Sequence, residues 1–274
     1  MPSRVDLHTH TTASDGTLTP PELFQEALEL GIRVLAISDH DSTSGYEAVL
    51  PLASGRPEIR LIAAIELNGE GSLACHLLGY FINVQNEAFQ RQLADYRERR
   101  TERVRAMAQK LNELGSPVDF HRVQEIAQGG ALGRPHLADA LMEKGIVKSR
   151  QEAFDRFLKK GGSAYISGNS PTAEEGIQLI RGAGGIPVLA HPSYYTSPEL
   201  LDGLVAAGLM GIEAYYPDHS RALIEHYKDF AKKHQLVVTG GSDFHGPRTG
   251  RAALGSVPVP DSVIEDLEKA RDKV

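Results

Sequence analysis

The sequence predicts an α/β protein of repeating strand–helix units, with one all-helical segment inserted among them. Three observations predict it. Short apolar, β-branched runs recur at 4–7, 34–38, 59–65, 73–81, 186–190, 211–215 and 236–239, each of strand length and composition. Helical periodicity separates most of them, as in βα units around a parallel sheet. From about residue 86 to 160 no such run occurs and only helical patterns remain.

Taken in order, strand 4–7 opens into a Gly/Ser/Thr loop at 11–17. The first helix is signalled by Thr19-Pro20-Pro21-Glu22, which combines an N-cap, a first-turn proline and a capping-box glutamate, and Gly31 stops it. A helix at 44–53 follows strand 34–38. After strands 59–65 and 73–81 come helices at 86–114, 120–127, 135–144 and 150–160. We therefore expect the βα framework to comprise 1–99 and 165–274, and an inserted helical subdomain to comprise 100–164. Thr172-Ala173-Glu174-Glu175 repeats the capping-box signal. Helices at 198–207, 220–234 and 261–272 complete the pattern. The arginines at 97, 99, 100, 103 and 105 are interleaved with Glu98 and Glu102, so a solvated, salt-bridged helix face is expected rather than a nucleic-acid patch.

Bulk properties narrow the function classes. A net charge of −7 argues against broad capture of duplex DNA, though not against a small phosphorylated ligand held by local cations. Apolar runs fall short of the roughly 20 residues needed to span a bilayer, so no membrane role is expected. The N-terminus lacks a signal-peptide pattern, and the one cysteine, Cys75, cannot form an internal disulfide. A cytoplasmic location and a buried, inert thiol are expected.

The chemistry lies in nine residues: His8, His10, Asp15, His40, Glu66, His76, His191, Asp243 and His245. His8 and His10, and likewise Asp243 and His245, stand at i and i+2, a spacing that turns both side chains of an extended segment to one side. Six of the seven strand candidates carry one of these groups at or just past the end, or, for His76, within the strand. In a parallel barrel such positions converge on one face. Imidazole and carboxylate without thiolate suit zinc, manganese or iron(II). Nine ligands exceed one ion's needs and suit two or three if a carboxylate bridges, a role open to Glu66. Asp39 and Asp41 flank His40 and are expected to orient imidazoles. No convincing serine or cysteine triad is present.

The motifs Asp6-Leu7-His8-Thr9-His10 with Asp15, Ser38-Asp39-His40-Asp41, Glu66, His76, Ala190-His191-Pro192 and Gly241-Ser242-Asp243-Phe244-His245 together resemble the PHP (polymerase and histidinol phosphatase) family. That family is related to the amidohydrolase superfamily, and the motifs span nearly the whole chain. The resemblance implies a distorted (β/α)7 barrel with an α-helical insertion and a trinuclear centre that hydrolyses phosphoesters by way of an activated water. Manganese is the expected metal, with iron(II) and zinc as alternatives. It also implies a division of ligands: His8, His10, Glu66 and Asp243 for one ion; Glu66, His76 and His191 for a second; Asp15, His40 and His245 for a third.

Gly133-Arg134-Pro135-His136 and Tyr165-Ile166-Ser167 are similar to the subgroup of 3′,5′-nucleotide bisphosphate phosphatases. The implied activity is removal of the 3′-phosphate of adenosine 3′,5′-bisphosphate to give AMP and phosphate. Alternatives are 5′→3′ exonuclease action on short RNA, histidinol phosphate hydrolysis and, in another class, a non-catalytic metal-stabilised module. The expected partner is a small phosphorylated nucleotide, with short RNA as the alternative. Candidate substrate contacts are Arg134, His136, Ser167 and Arg248. Arg134 stands at a probable helix start, where it can hold a phosphate or merely cap its own helix.

Overall fold

The computed structural model describes residues 3–69, 74–167, 171–195, 197–247 and 249–274. Seven strands form one sheet in sequence order: β1 (Val5–Asp6), β2 (Val34–Ile37), β3 (Arg60–Asn68), β4 (His76–Tyr80), β5 (Ile186–Leu189), β6 (Gly211–Tyr215) and β7 (Val237–Gly240). The last strand returns to the first. Leu7 N donates to Gly240 O at 3.3 Å and His10 N to Phe244 O at 2.8 Å, with a parallel bridge between Thr9 and Phe244. The sheet thus curls into a nearly closed barrel, as expected.

The strands are not all parallel. β4 runs antiparallel to both β3 and β5, whereas the other neighbouring pairs are parallel. The connection from Asn68 to His76 is too short for a crossover, which needs a dozen or more residues, so β4 must turn back on β3. This reversal corrects the expected position of His76. It is the first residue of β4 rather than an interior one, and the reversal places it at the mouth formed by the C-terminal ends of the parallel strands.

Ten α-helices are described: α1 (Pro20–Glu29), α2 (Ser44–Ala53), α3 (Glu87–Glu113), α4 (Phe120–Ile126), α5 (Arg134–Glu143), α6 (Arg150–Ala153), α7 (Ala173–Gly182), α8 (Pro198–Ala206), α9 (Arg221–His234) and α10 (Ser262–Arg271). A π-helical turn, Phe154–Leu158, prolongs α6. The capping boxes of α1 and α7 form as read, with Thr19 paired to Glu22 and Thr172 to Glu175. No helix among the described residues is long and apolar enough to cross a membrane.

Helix α3 serves two cores. Phe89, Leu93 and Tyr96 pack with the barrel strands and α7, whereas Val104, Met107, Ala108 and Leu111 pack with α4, α5 and the turn after α6. Spacings of three and four residues keep each set on one face of the helix. The helical segment thereby owns an apolar cluster and is braced on the barrel through α3. Its arginines divide in the same way. Arg99 and Arg105 pair outward with Asp95 and Glu102. Arg97 and Arg100 turn inward to the Asp41 carbonyl and carboxylate, and Arg103 to the Ile166 carbonyl. The expected solvated face therefore describes only two of the five arginines of this run, Arg99 and Arg105. Positions 97, 100 and 103 recur every three residues and face the barrel.

Candidate metal centre

All nine candidate ligands meet at the barrel mouth, and eight of them are buried; the ninth, the His76 side chain, is 29% exposed. Glu66, at the mouth end of β3, sits in the middle. Its Oε2 lies 3.4 Å from His8 Nε2, 3.1 Å from His10 Nε2 and 3.2 Å from His40 Nδ1. Its Oε1 lies 2.9 Å from His76 Nδ1 and 3.0 Å from His191 Nε2. Asp243 Oδ1 lies 3.4 Å from both His8 Nε2 and His10 Nε2. Asp15 stands 3.5–3.8 Å from His245, His10 and His40.

These spacings fit cations. Ligands bound at about 2.0–2.2 Å around one ion stand roughly 3.0–3.6 Å apart at octahedral or tetrahedral angles. Three groups have ligand atoms within 4.8 Å of one another: His8, His10, Glu66 and Asp243; His10, Asp15, His40 and His245; His40, Glu66 and His76. The first is the set expected for one ion. The second adds His10 to the expected three. The third has His40 in the place expected for His191, whose Nε2 nonetheless touches Glu66. Buried atoms supply an independent test of fit. His8 Nε2, His10 Nε2, Asp15 Oδ1 and His40 Nδ1 are buried without a hydrogen-bond partner. Each such orphan costs about 1–3 kcal/mol, and four at one spot are readily accounted for by a multi-metal site.

Electrostatics keep the carboxylates ready. Burial disfavours ionised Glu66, Asp15 and Asp243, but the surrounding imidazoles outweigh it and hold all three well below the usual carboxylate range. Burial likewise opposes charge on His8 and His10. For His8, Glu213, Asp243 and Glu66 prevail and raise its pKa well above the ordinary imidazole value. For His10, Asp243, Glu66 and Asp15 raise it to about 9. His40 and His76 go the other way, depressed first by burial.

Local structure explains why these side chains converge. A Cβ at Gly241 would lie 2.4 Å from His8 N, so glycine permits the close packing of β7 on β1. His191 and Asp243 adopt positive φ, 30° and 52°, a strain of order 1–3 kcal/mol each that surrounding bonds must offset. Glu213 helps at His191. Wholly buried in β6, it accepts from His191 N at 2.7 Å and bonds His8 Nδ1 at 2.9 Å, which leaves His8 Nε2 facing the cluster.

The expected role of Asp39 and Asp41 needs correction, since neither has a hydrogen bond to an imidazole among the described residues. Asp39 accepts from Thr11 N, Thr11 Oγ1 and Ser14 Oγ, each at 2.7 Å, and so fastens the loop that carries Asp15. Asp41 accepts from Arg100 at 2.7 Å. Asp6 plays the Asp39 part for the last loop, accepting from Ser242 N, Ser242 Oγ and Gly255 N. Sequence reading passes over Asp6 and Glu213. Their one signal is an acidic residue inside an apolar strand, which burial makes costly without partners.

Two cavities abut the cluster at different ends and share no lining residue. The smaller, about 190 Å³, reaches His76 and is lined by Arg100, Arg103 and Arg134, with no carboxylate among the described residues that line it. The larger, about 1090 Å³, reaches Asp15, Asp243 and His245 and includes Arg150 and Arg251. Of the expected substrate contacts, Arg134 lines the small cavity. His136 is buried, with Nδ1 accepting from Gly133 N at 3.0 Å, and lines neither cavity. Ser167 is exposed and also lines neither. Arg248 lies outside the described residues. Cys75 is buried, and burial pushes its thiol up to about 12, as an inert thiol requires.

Known proteins are similar to this chain along most of its length. A 3′,5′-nucleoside bisphosphate phosphatase from Chromobacterium violaceum is 32% identical over 277 residues, covering 97% of this chain and 97% of its own length. The 5′-3′ exoribonuclease Rnm of Escherichia coli (strain K12) is 33% identical over 262 residues, covering 88% and 85%. Among solved structures, an amidohydrolase from Chromobacterium violaceum with bound sulfate and no metal matches with a TM-score of 0.88 at 30% identity, covering 98% and 97%. A model of the PHP domain matches residues 6–159, more than half of the chain and four of its six ligand-bearing strands, those that carry His8 to His76. With that match and relatives of this identity along almost its whole length, the chain belongs to the PHP domain family.

Proposed function

We propose that this protein is a metal-dependent phosphomonoesterase that removes the 3′-phosphate of adenosine 3′,5′-bisphosphate. The observation that carries this reading is the small cavity beside His76, where Arg100, Arg103 and Arg134 lie next to a cluster of metal-ligand character, with no carboxylate among the described lining residues. Such a site offers two adjoining places for anionic groups, one to react and one to be held. The relative named as a 3′,5′-nucleoside bisphosphate phosphatase supports it.

In this reading three divalent ions, manganese foremost, are held by His8, His10, Glu66 and Asp243; by Glu66, His76 and His191; and by Asp15, His40 and His245. When bound, such ions acidify a coordinated water toward a pKa of about 7 and neutralise charge on phosphoryl oxygens. The chain supplies the rest. Glu66 presents both carboxylate oxygens, Glu213 fixes the His8 ring, and Arg134, with Arg100 and Arg103, binds the phosphate that does not react. Three divalent ions against three carboxylates leave the site positive within an acidic protein, so the local field favours phosphate despite the overall charge. Helices α3 and α5 of the inserted segment carry these arginines, which gives that segment a part in substrate selection.

A second reading, exonuclease action on short 5′-phosphorylated RNA, is favoured by the size of the larger cavity and by the exoribonuclease relative. Comparing kcat/KM with manganese for the bisphosphate, a short 5′-phosphorylated oligonucleotide and histidinol phosphate decides among these. The bisphosphate should be the best of the three, and negligible turnover of it sinks the proposal. Asp243→Asn and His191→Ala should abolish phosphate release while the circular dichroism spectrum stays unchanged.

A further inference from the structure

We infer that Arg251 is a specificity-determining residue that reads the extra negative charge of a terminal phosphomonoester and so sets the preference for monoester over internal diester. The inference rests on the phosphoesterase reading above and adds to it the residue that divides its two possible substrates. Arg251 Nη1 donates to Asp243 Oδ2 at 2.7 Å and lies 3.5 Å from Tyr216 Oη. The other oxygen of that carboxylate, Oδ1, faces His8 and His10 in the cluster. The guanidinium thus stands one carboxylate away from the reacting centre. It is 45% exposed and borders the large cavity.

Three further facts point the same way. Among the described residues the other cations bordering this cavity are Lys148 and Arg150, and Arg150 is committed to Asp139 in a two-point pair at 2.6 Å and 2.6 Å. Arg251 has five N–H donors, and the bonds described above engage only its Nη1. Finally, about 1090 Å³ is at or beyond the usual upper size of a small-ligand pocket, roughly 1,000 Å³. Space alone does not turn away a strand that continues past the reacting phosphorus. Charge can do so. A terminal phosphomonoester carries close to two negative charges near neutral pH, and an internal diester carries one. A guanidinium facing the outer phosphoryl oxygens stabilises the first more than the second.

A simpler role would be to hold Asp243 so that only Oδ1 meets the cluster. Tyr216 shares that task, since its hydroxyl donates to Asp243 Oδ2 at 2.8 Å without bringing a positive charge. Comparing the two residues therefore separates the roles. The wild-type protein, Arg251→Gln, Arg251→Lys and Tyr216→Phe are each prepared with saturating manganese, and metal content is checked by elemental analysis. For each, kcat/KM is measured on adenosine 3′,5′-bisphosphate and on a 5′-phosphorylated dinucleotide, and inorganic phosphate affinity is measured by calorimetry.

Arg251→Gln should lower kcat/KM for the bisphosphate by about 10- to 100-fold and weaken phosphate binding, while the dinucleotide loses less than about 5-fold. Arg251→Lys should recover most of the preference, and Tyr216→Phe should leave the ratio of the two substrates unchanged. Equal losses on both substrates in Arg251→Gln, matched by Tyr216→Phe and accompanied by metal loss, would reduce Arg251 to a support for Asp243 and overturn the inference. If the wild-type protein turns over neither ester, the phosphoesterase reading fails by itself. The calorimetric arm then still decides Arg251, because unchanged phosphate affinity in Arg251→Gln overturns its assignment.

Discussion

Glu213 spends both oxygens on the cluster's supports, one on the His8 ring and one on the backbone of His191. Replacing it by glutamine keeps the volume but puts an N–H where an acceptor stood. The amide cannot accept from His8 Nδ1 and from His191 N at once, so one bond is lost or the His8 tautomer changes. Partners of this kind typically contribute 10- to 100-fold to metal affinity. We expect Glu213→Gln to weaken metal binding by about that factor, read as metal retained against a competing chelator, with secondary structure intact; unchanged retention would show that His8 needs no such anchor. The nine candidate ligands were legible because most stand at or near a strand end and they recur in one order along the chain, although Asp15 sits in a loop and Glu66 and His76 stand alone. Glu213 and Asp6 were not, because their importance comes from what packs around them. Asp39 and Asp41 show the converse: their place beside His40 suggested imidazole partners, but the fold turns Asp39 to the Thr11–Ser14 loop and Asp41 to Arg100.

At the scale of elements, local chemistry spoke clearly. The capping boxes at Thr19 and Thr172 start α1 and α7, and the seven apolar runs all become strands. What local pattern could not supply was direction and facing. The reversal of β4 follows from a short connection rather than from any feature of the strand itself. The inward turn of Arg97, Arg100 and Arg103 depends on a barrel beneath α3 that periodicity alone does not reveal. Helix α5 tests how far the inserted segment governs substrate binding. Leu141 is fully buried in that segment's apolar cluster, and the same helix begins at Arg134. Leu141→Ala should cost about 2–5 kcal/mol of stability, measured by chemical denaturation. Because it loosens the helix that carries Arg134, KM for the bisphosphate should rise while metal content is retained. A fall in metal content with KM unchanged would mean that the segment braces the barrel instead.

Across the whole molecule, the cluster couples metal binding, protonation and stability. Asp243, Glu66 and Asp15 lift His10 to about 9, and Glu213, Asp243 and Glu66 hold His8 well above its ordinary value. Without metal these rings therefore keep protons that an ion must displace, so binding releases protons and tightens as pH rises toward about 9. The metal-free fold moves the opposite way. A histidine whose folded pKa is raised contributes stability that is fully present below its unfolded value, about 6.5, and is lost as pH climbs through the folded value. The depressed carboxylates Asp15, Glu66 and Asp243 lose their contribution only in acid, and the depressed imidazoles of His40 and His76 are already neutral above about pH 7.5. Between about pH 7.5 and 9 both trends express the same proton loss from His8 and His10, so the gap between the metal-bound and metal-free folds widens with pH. An ion present at 100 times its Kd stabilises the fold by about 2.7 kcal/mol. Stripping metal with a chelator should lower Tm by several degrees, and the drop should be larger near pH 9 than near pH 7.5. Calorimetric melts at the two pH values, with and without chelator, provide the comparison. A drop that shrinks as pH rises would mean that the ions do not displace the protons of His8 and His10, and the cluster would then have to bind them by other groups.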